Sequence, residues 1–187
     1  MNKTRADDVR VAYPLFQVGS GGSIPTSALS LLFERCERCD FIKLNRMWHS
    51  RLPRIGGFYV DGMFYRACGS NDITYAVAGW SRPVAIAFNG KPVFELRRMA
   101  IADDAPKNTA SRMLGWMARD IKKRCPNTSR LISYQDTAVH KGTIYKASGW
   151  VATRTSKAGE QNWCKTHKRK AREIVTDAVK VRWEREI

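Results

Sequence analysis

Hydrophobic and polar positions change period several times along the chain, and each change predicts a new element. Val11, Ala12, Leu15, Phe16 and Val18 suggest a first strand over Tyr13–Val18, held to a sheet edge by Pro14. After the Gly-Ser run at 19–23, Thr26 or Ser27 is a good N-cap. Leu29, Leu32, Phe33, Cys36 and Cys39 then fall on one face of a helix, with Glu34, Arg35, Glu37 and Arg38 on the other. The helical pattern runs on through Ile42, Leu44 and Met47 to Trp48-His49, until Pro53 and Gly56-Gly57 stop it. From Phe58 to Phe88 aromatic and β-branched residues take over. They predict short antiparallel strands at Phe58–Val60, Met63–Cys68, Thr74–Trp80 and Val84–Phe88, with hairpin signals at Asp61-Gly62 and Asn89-Gly90.

The second half is more ordered in its pattern. Phe94–Ala102 is apolar on parts of both faces and reads as a central strand. Asp103–Asn108 is a loop, and Asn108, Thr109 or Ser111 caps a helix to Lys123 with Met113, Leu114, Met117 and Ile121 as its buried stripe. Arg130–Tyr134 is the next strand, Gly142–Ser148 a short helix closed by Gly149, and Val151–Thr155 with Glu160–Thr166 a terminal hairpin. His167–Ile187 is charged and helical in propensity, with a thin seam of Ile174, Val175, Ala178, Val181 and Trp183. This order describes one α+β domain with a mixed sheet flanked by helices. Its strand-loop-helix step sets helix-end N–H groups beside strand ends, a natural place for a phosphate.

Charge sharpens the picture. Thirty-three Lys and Arg against 17 Asp and Glu leave a formal net charge of +16, which points to a polyanionic partner such as nucleic acid. The basic stretch from Lys165 to Arg172, including Lys168, Arg169 and Lys170, is the expected phosphate-backbone surface, together with Arg51 and Arg54. No apolar run is long enough for a membrane span, and the polar start MNKTRADDVR lacks a signal-peptide core, so a cytoplasmic protein is expected. The 5 cysteines then read as free thiols of a reducing compartment. Cys36-x-x-Cys39 with Cys164-x-x-His167 has zinc-ligand spacing, but the helical setting of the first pair favours plain packing.

Two strings carry more. ELRRMAIADDAPKNTASRMLGW and SYQDTAVHKGTIYKASGW resemble the phage Mom DNA-modification family, itself related to the GNAT N-acetyltransferase fold. The matching positions are Glu95, Leu96 and Arg98; Pro106, Asn108, Ser111 and Arg112; Ser133, Tyr134 and Asp136; and His140, Gly142, Ile144, Tyr145 and Ala147. The resemblance is clearest over Glu95–Trp150 and extends weakly back to His49. It implies a GNAT-like catalytic domain over residues 1–166, a basic C-terminal helical tail over 167–187, and an enzyme acting on double-stranded DNA. The implied reaction converts the exocyclic amine of adenine to a carbamoylmethyl derivative, protecting phage DNA from restriction. An acyl-CoA is the implied cofactor, held at Asn108, Thr109, Ser111 and Arg112. The chain departs from the usual GNAT phosphate loop, since KNTASR has no glycine, and His49 is followed by Ser50 rather than an aromatic.

Roles follow from side-chain chemistry, each beside a plainer explanation. Asp136 could orient or deprotonate the adenine amine, or simply form an Asx turn. Tyr145 could protonate a leaving thiolate, or be a half-buried core tyrosine. Ser133 and Tyr134 join them as candidates. His49 and His140 are 2 of only 3 histidines and could move protons, or bind a divalent metal such as iron together with Asp136. To reach a base within a duplex the enzyme would flip it, and Trp48, Tyr59, Phe64 or Tyr134 could receive it, although such aromatics are more often core. Two other functions compete: an acyltransferase acting on a small-molecule or protein amine, and a nucleic-acid-binding module without catalysis.

Overall fold

The computed structural model describes residues 24–49, 52–55, 62–70, 72–156 and 179–187. A single 3-10 turn at Ala28–Ser30 leads into β1 (Leu32–Arg35), followed by α1 (Arg38–Trp48), β2 (Met63–Cys68) and β3 (Thr74–Ser81). After a 3-10 turn at Ile86–Phe88 come β4 (Val93–Ile101), α2 (Thr109–Arg124), β5 (Arg130–Asp136), α3 (Thr143–Ala147), β6 (Val151–Ser156) and β7 (Lys180–Glu186). The strands form one seven-stranded sheet in the order β1-β2-β3-β4-β5-β7-β6. Every neighbouring pair is antiparallel except β4 with β5, whose crossover is α2.

Each face of the sheet has its own cover. On one, Met113, Leu114, Met117 and Ile121 of α2 are fully buried against Tyr65, Ala78, Trp80, Leu96 and Leu131, as the helical stripe predicts. Trp80 is sealed there, its indole N–H directed at the Met117 sulfur 3.1 Å away. On the other face α1 covers β2 to β4. Phe41 stacks on Phe64 at 4.9 Å and packs with Val77 and Ala100, its ring lying against the backbone of Gly79.

Buried Asn45 fixes the segment after α1, donating from Nδ2 to the carbonyls of Leu52 (3.2 Å) and Pro53 (3.3 Å). Asn45→Ala should therefore cost about 1–3 kcal/mol in urea unfolding, because a buried amide and its two hydrogen bonds to the Leu52 and Pro53 carbonyls are lost.

Four expectations are corrected. Leu32–Arg35 is a strand and the helix begins only at Arg38, because Leu32 and Cys39, two members of the supposed apolar face, are exposed. Val84–Phe88 is not a strand but ends in a 3-10 turn. The partner of β6 is β7, not Glu160–Thr166, which lies outside the described residues. Lys180–Glu186 of the supposed helical tail is that strand, inserted between β5 and β6 and bonded to both. Its Lys, Arg and Glu favour helix intrinsically, but pairing on both sides overrides that preference. The expected strands at Tyr13–Val18 and Phe58–Val60 lie outside the described residues. Among the described residues no helix is long and apolar enough to cross a membrane.

Candidate functional site

The sheet opens where its two parallel strands part. β4 and β5 are paired only from Val93↔Arg130 to Leu96↔Ser133, yet β4 continues to Ile101 and β5 to Asp136. On its other side β4 is bulged against β3: Gly79 pairs with Arg98 and Trp80 with Leu96, leaving Arg97 as the extra residue. A bulge bends its strand and increases its twist, in keeping with the parting. Polar groups line the fork on both faces, and the predicted catalytic and cofactor-binding candidates lie on the strands that form it or on the elements that flank it, whereas Arg54, Trp48 and Phe64 do not.

On the α2 face, the helix start carries the first part of the site. Asn108 sits at the N-cap with φ 68°, in the left-handed region, and its side chain makes no cap bond. A phosphate loop ordinarily uses glycine for such a turn; asparagine is among the few other residues that adopt it readily. The glycine-free KNTASR string is thus no obstacle to a tight approach. Thr109 Oγ1 donates to the Pro106 carbonyl (2.6 Å) and Ser111 Oγ to the Asn108 carbonyl (3.1 Å). The Thr109 and Arg112 amides are bonded back to Pro106 and Asn108. Those of Ala110 and Ser111 have no backbone acceptor among the described residues and aim outward at the positive end of the helix. A cavity of about 230 Å³ lies in front of them, walled by Ile101, Pro106, Thr143, Ile144 and Ala147. It adjoins, through Ser111 and Ala147, a second hollow of about 340 Å³ that includes Arg112, Trp116, Arg119 and Arg185. The small, partly apolar walls, helix-end amides and flanking guanidiniums fit a phosphate-bearing thioester carrier.

Tyr145 stands beside this cavity on α3. Its hydroxyl is 2.9 Å from Ser133 Oγ, and Ser133 is the last β5 residue paired with β4, so the hydroxyl pair marks the point of the fork. The ring is stacked on Trp183 at 5.3 Å and meets Trp150 edge-on at 5.7 Å. Burial raises the phenol's pKa above its ordinary value, with the Ser133 bond pulling weakly the other way, so it stays protonated at neutral pH.

Tyr134 and Asp136 do not share this pocket. Side chains alternate along a strand, so they lie on the opposite face from Ser133 and Gln135. There Tyr134, 40% exposed, holds a hydrogen bond with Arg182 and lies near the buried Glu95. Burial first, then Glu95, raises the Tyr134 pKa. Glu95 is itself raised by burial, offset by Arg97 at 3.3 Å, the Val84 N–H and Arg98. Asp136 forms the Asx turn, its Oδ1 accepting the Ala138 N–H at 2.9 Å. His49 ends α1 on the same face, close enough to Arg98 and His140 to feel both charges.

The expected metal set does not fit. No group of three His, Cys, Asp or Glu among the described residues is placed to hold an ion. The His49 Nδ1 already accepts the Leu52 N–H, and Asp136 shares its carboxylate with the turn. Cys39 is exposed on α1, and burial pushes the Cys36 thiol up to about 12, which suits an unreactive, packed thiol at that position. Cys164 and His167 lie outside the described residues, as do Arg51, Lys165, Lys168, Arg169, Lys170 and Tyr59. Arg54 is exposed beyond α1, whereas Phe64 is core and Trp48 packs against it. Two residues of the fork were missed as site members: Glu95, whose clue was an acid on an otherwise buried strand, and Arg182, hidden in the supposed tail.

Comparison with known proteins agrees with this architecture. Three solved structures with the same fold are an IAA acetyltransferase from Bacillus cereus, an acetyltransferase from Bacillus subtilis in complex with CoA, and spermidine N-acetyltransferase from Vibrio cholerae in complex with CoA and spermine. The first has TM-score 0.59 at 17% identity, covering 84% of this chain and 100% of that one. The second has 0.56 at 14%, covering 84% and 99%, and the third 0.58 at 12%, covering 84% and 96%. At such identities they show the fold alone, which is that of the GNAT acetyltransferases. No curated protein matches the chain by sequence. The profile of the Mom protein family, however, matches residues 72–186, from β3 through β7 and so across the whole fork. The chain therefore belongs to the Mom protein family, built on a GNAT-type fold.

Proposed function

We propose that this protein modifies adenine in double-stranded DNA, converting its exocyclic amine to a carbamoylmethyl derivative that shields phage DNA from host restriction. The observation that carries the reading is the family match, which spans both faces of the forked sheet. The net charge of +16 supports a DNA partner, and it is more than a small-molecule amine acetyltransferase needs.

In this reading the amides of Ala110 and Ser111, with Arg112, hold the phosphates of a CoA-type carrier, while Asn108 and Thr109 shape the turn. That carrier would present a carbamoylmethyl group joined through its methylene carbon to a leaving atom, so that the amine nitrogen bonds to the methylene carbon as the bond to the leaving atom breaks. The extruded adenine approaches from the other face, where the exposed ring of Tyr134 offers a stacking surface. The amine is a poor nucleophile because its lone pair is delocalised into the ring, so a carboxylate must take its proton. Asp136 lies at the fork, and Glu95, buried and more basic than an ordinary carboxylate, is a second acceptor. Tyr145, kept protonated and braced by Ser133, gives a proton to the leaving group. Basic residues outside the fork, Arg54 among them, meet the phosphate backbone, and the protein works in the host cytoplasm.

The test is expression in a bacterial host followed by nucleoside mass spectrometry of its DNA. A new adenine nucleoside heavier by a carbamoylmethyl group is expected, and it should vanish in Asp136→Ala while the protein remains folded. Unmodified adenine with abundant, folded protein refutes the reading.

A further inference from the structure

His49 is fixed more tightly than a proton shuttle requires. It lies four residues after Asn45, at the end of α1, and the two side chains grip one residue, Leu52, from both sides. Asn45 donates to the Leu52 carbonyl at 3.2 Å, while the Leu52 N–H donates to His49 Nδ1 at 3.2 Å. A backbone N–H can only donate, so Nδ1 must be the unprotonated nitrogen, and in a neutral ring the hydrogen then sits on Nε2. A metal-bound histidine has the reverse arrangement, giving away its second N–H to an acceptor.

We propose that His49 is a fixed hydrogen-bond donor whose Nε2–H, within the electrostatic reach of Arg98, holds a carbonyl oxygen of the group being transferred, and that it neither accepts a proton nor binds a metal. The surroundings suit this role. The charged and titratable groups that act on the ring are Arg98 from β4 and His140 from the loop after β5, and both oppose a second proton. Burial acts in the same direction and most strongly, a contact with its own backbone acts weakly against it, and the ring's pKa falls to about 4. A carbonyl oxygen held by an N–H and polarised by a nearby guanidinium fixes the methylene carbon beside it in one orientation and makes that carbon more electrophilic towards the amine, as preorganised donors do in group transfer.

The sign of the pH effect follows. A histidine whose folded pKa lies below its unfolded value of 6.5 stabilises the fold fully above that pH, and the contribution is lost as pH falls from 6.5 towards about 4.

The identity of the oxygen rests on the function proposed above, but the protonation state does not, so the two are tested separately. In the wild-type protein, ¹⁵N-histidine NMR should show His49 neutral with the hydrogen on Nε2 at pH 7, and unchanged on acidification past 6.5. A ring that titrates near 6.5, or carries its hydrogen on Nδ1, overturns the proposal whatever the protein modifies. In the nucleoside assay, His49→Gln keeps an amide N–H and should retain more activity than His49→Glu, by roughly 10²-fold. A base or a metal ligand predicts the reverse order, and that order would also overturn it.

Discussion

Tyr145→Phe should lower the rate of DNA modification by roughly 10²- to 10⁴-fold, the usual contribution of a positioned proton donor, while leaving the fold nearly as stable. The two halves of this expectation have different sources. The ring stays, and with it the stack on Trp183 at 5.3 Å and the edge contact with Trp150 at 5.7 Å, which hold α3 to the sheet. Only the hydroxyl goes, and with it one hydrogen bond to Ser133, worth about 1 kcal/mol. Ser133→Ala is the complementary change: it leaves the phenol in place but unbraced, so activity should fall less than in Tyr145→Phe. A time course of the modified nucleoside in host DNA, read beside thermal melts of the purified variants, checks both. A Phe variant that modifies DNA at the wild-type rate would sink the proton-donor role and leave Tyr145 as a core residue. Because burial holds the phenol protonated, the wild-type rate should also show no loss from its ionisation anywhere below pH 10.

A second large effect is expected at a residue with no side chain. Gly142, at the N-cap of α3, has φ 73°, and a Cβ there would lie 2.6 Å from Trp183 Cζ2 and 2.7 Å from Gln135 Oε1. Neither neighbour can withdraw cheaply. Gln135 Oε1 accepts the Trp183 indole N–H at 2.6 Å, and Gln135 Nε2 is bonded to the His140 carbonyl. Gly142→Ala therefore carries a left-handed backbone cost of about 1–2 kcal/mol and an overpacking cost of about 1–3 kcal/mol. Gly90 is the control, since it has φ 71° but nothing within 4 Å of its Cβ position, so Gly90→Ala should show the backbone cost alone. Urea melts of the two variants separate the terms. Equal destabilisation would mean that the contacts with Trp183 and Gln135 yield more easily than their hydrogen bonds suggest.

Which parts were legible in the sequence follows from how far each depends on distant partners. The α2 stripe of Met113, Leu114, Met117 and Ile121 was readable because one helix meeting one sheet face imposes a single period. β4 and β5 were readable for the same kind of reason, being central strands with apolar positions on both faces. Leu32–Arg35 misled because Leu29, Leu32, Phe33 and Cys36 have helical spacing by coincidence. At a sheet edge few of those positions are buried, so little burial enforces a strand pattern. β7 misled more deeply: its charges become intelligible only beside Glu95, Tyr134 and Arg130, which lie far away in sequence. The candidate site shows the same limit. A motif places Ser133, Tyr134 and Asp136 within four consecutive positions, but the pleat sends Ser133 to one face and the other two to the opposite one. Adjacency in the string here meant opposition in space.

The strand order has a consequence for when the protein can act. Trp183 lies in β7, which follows β6 in the chain, yet it is the wall on which Tyr145 stacks and the partner that holds Gln135 behind Gly142. A nascent chain that has emerged only as far as β6 has the helix-end amides and the carboxylates, but lacks the surface that aims the phenol. Because domains complete their folding only when all their strands are available, the phenol of Tyr145 is aimed only once β7 has inserted between β5 and β6.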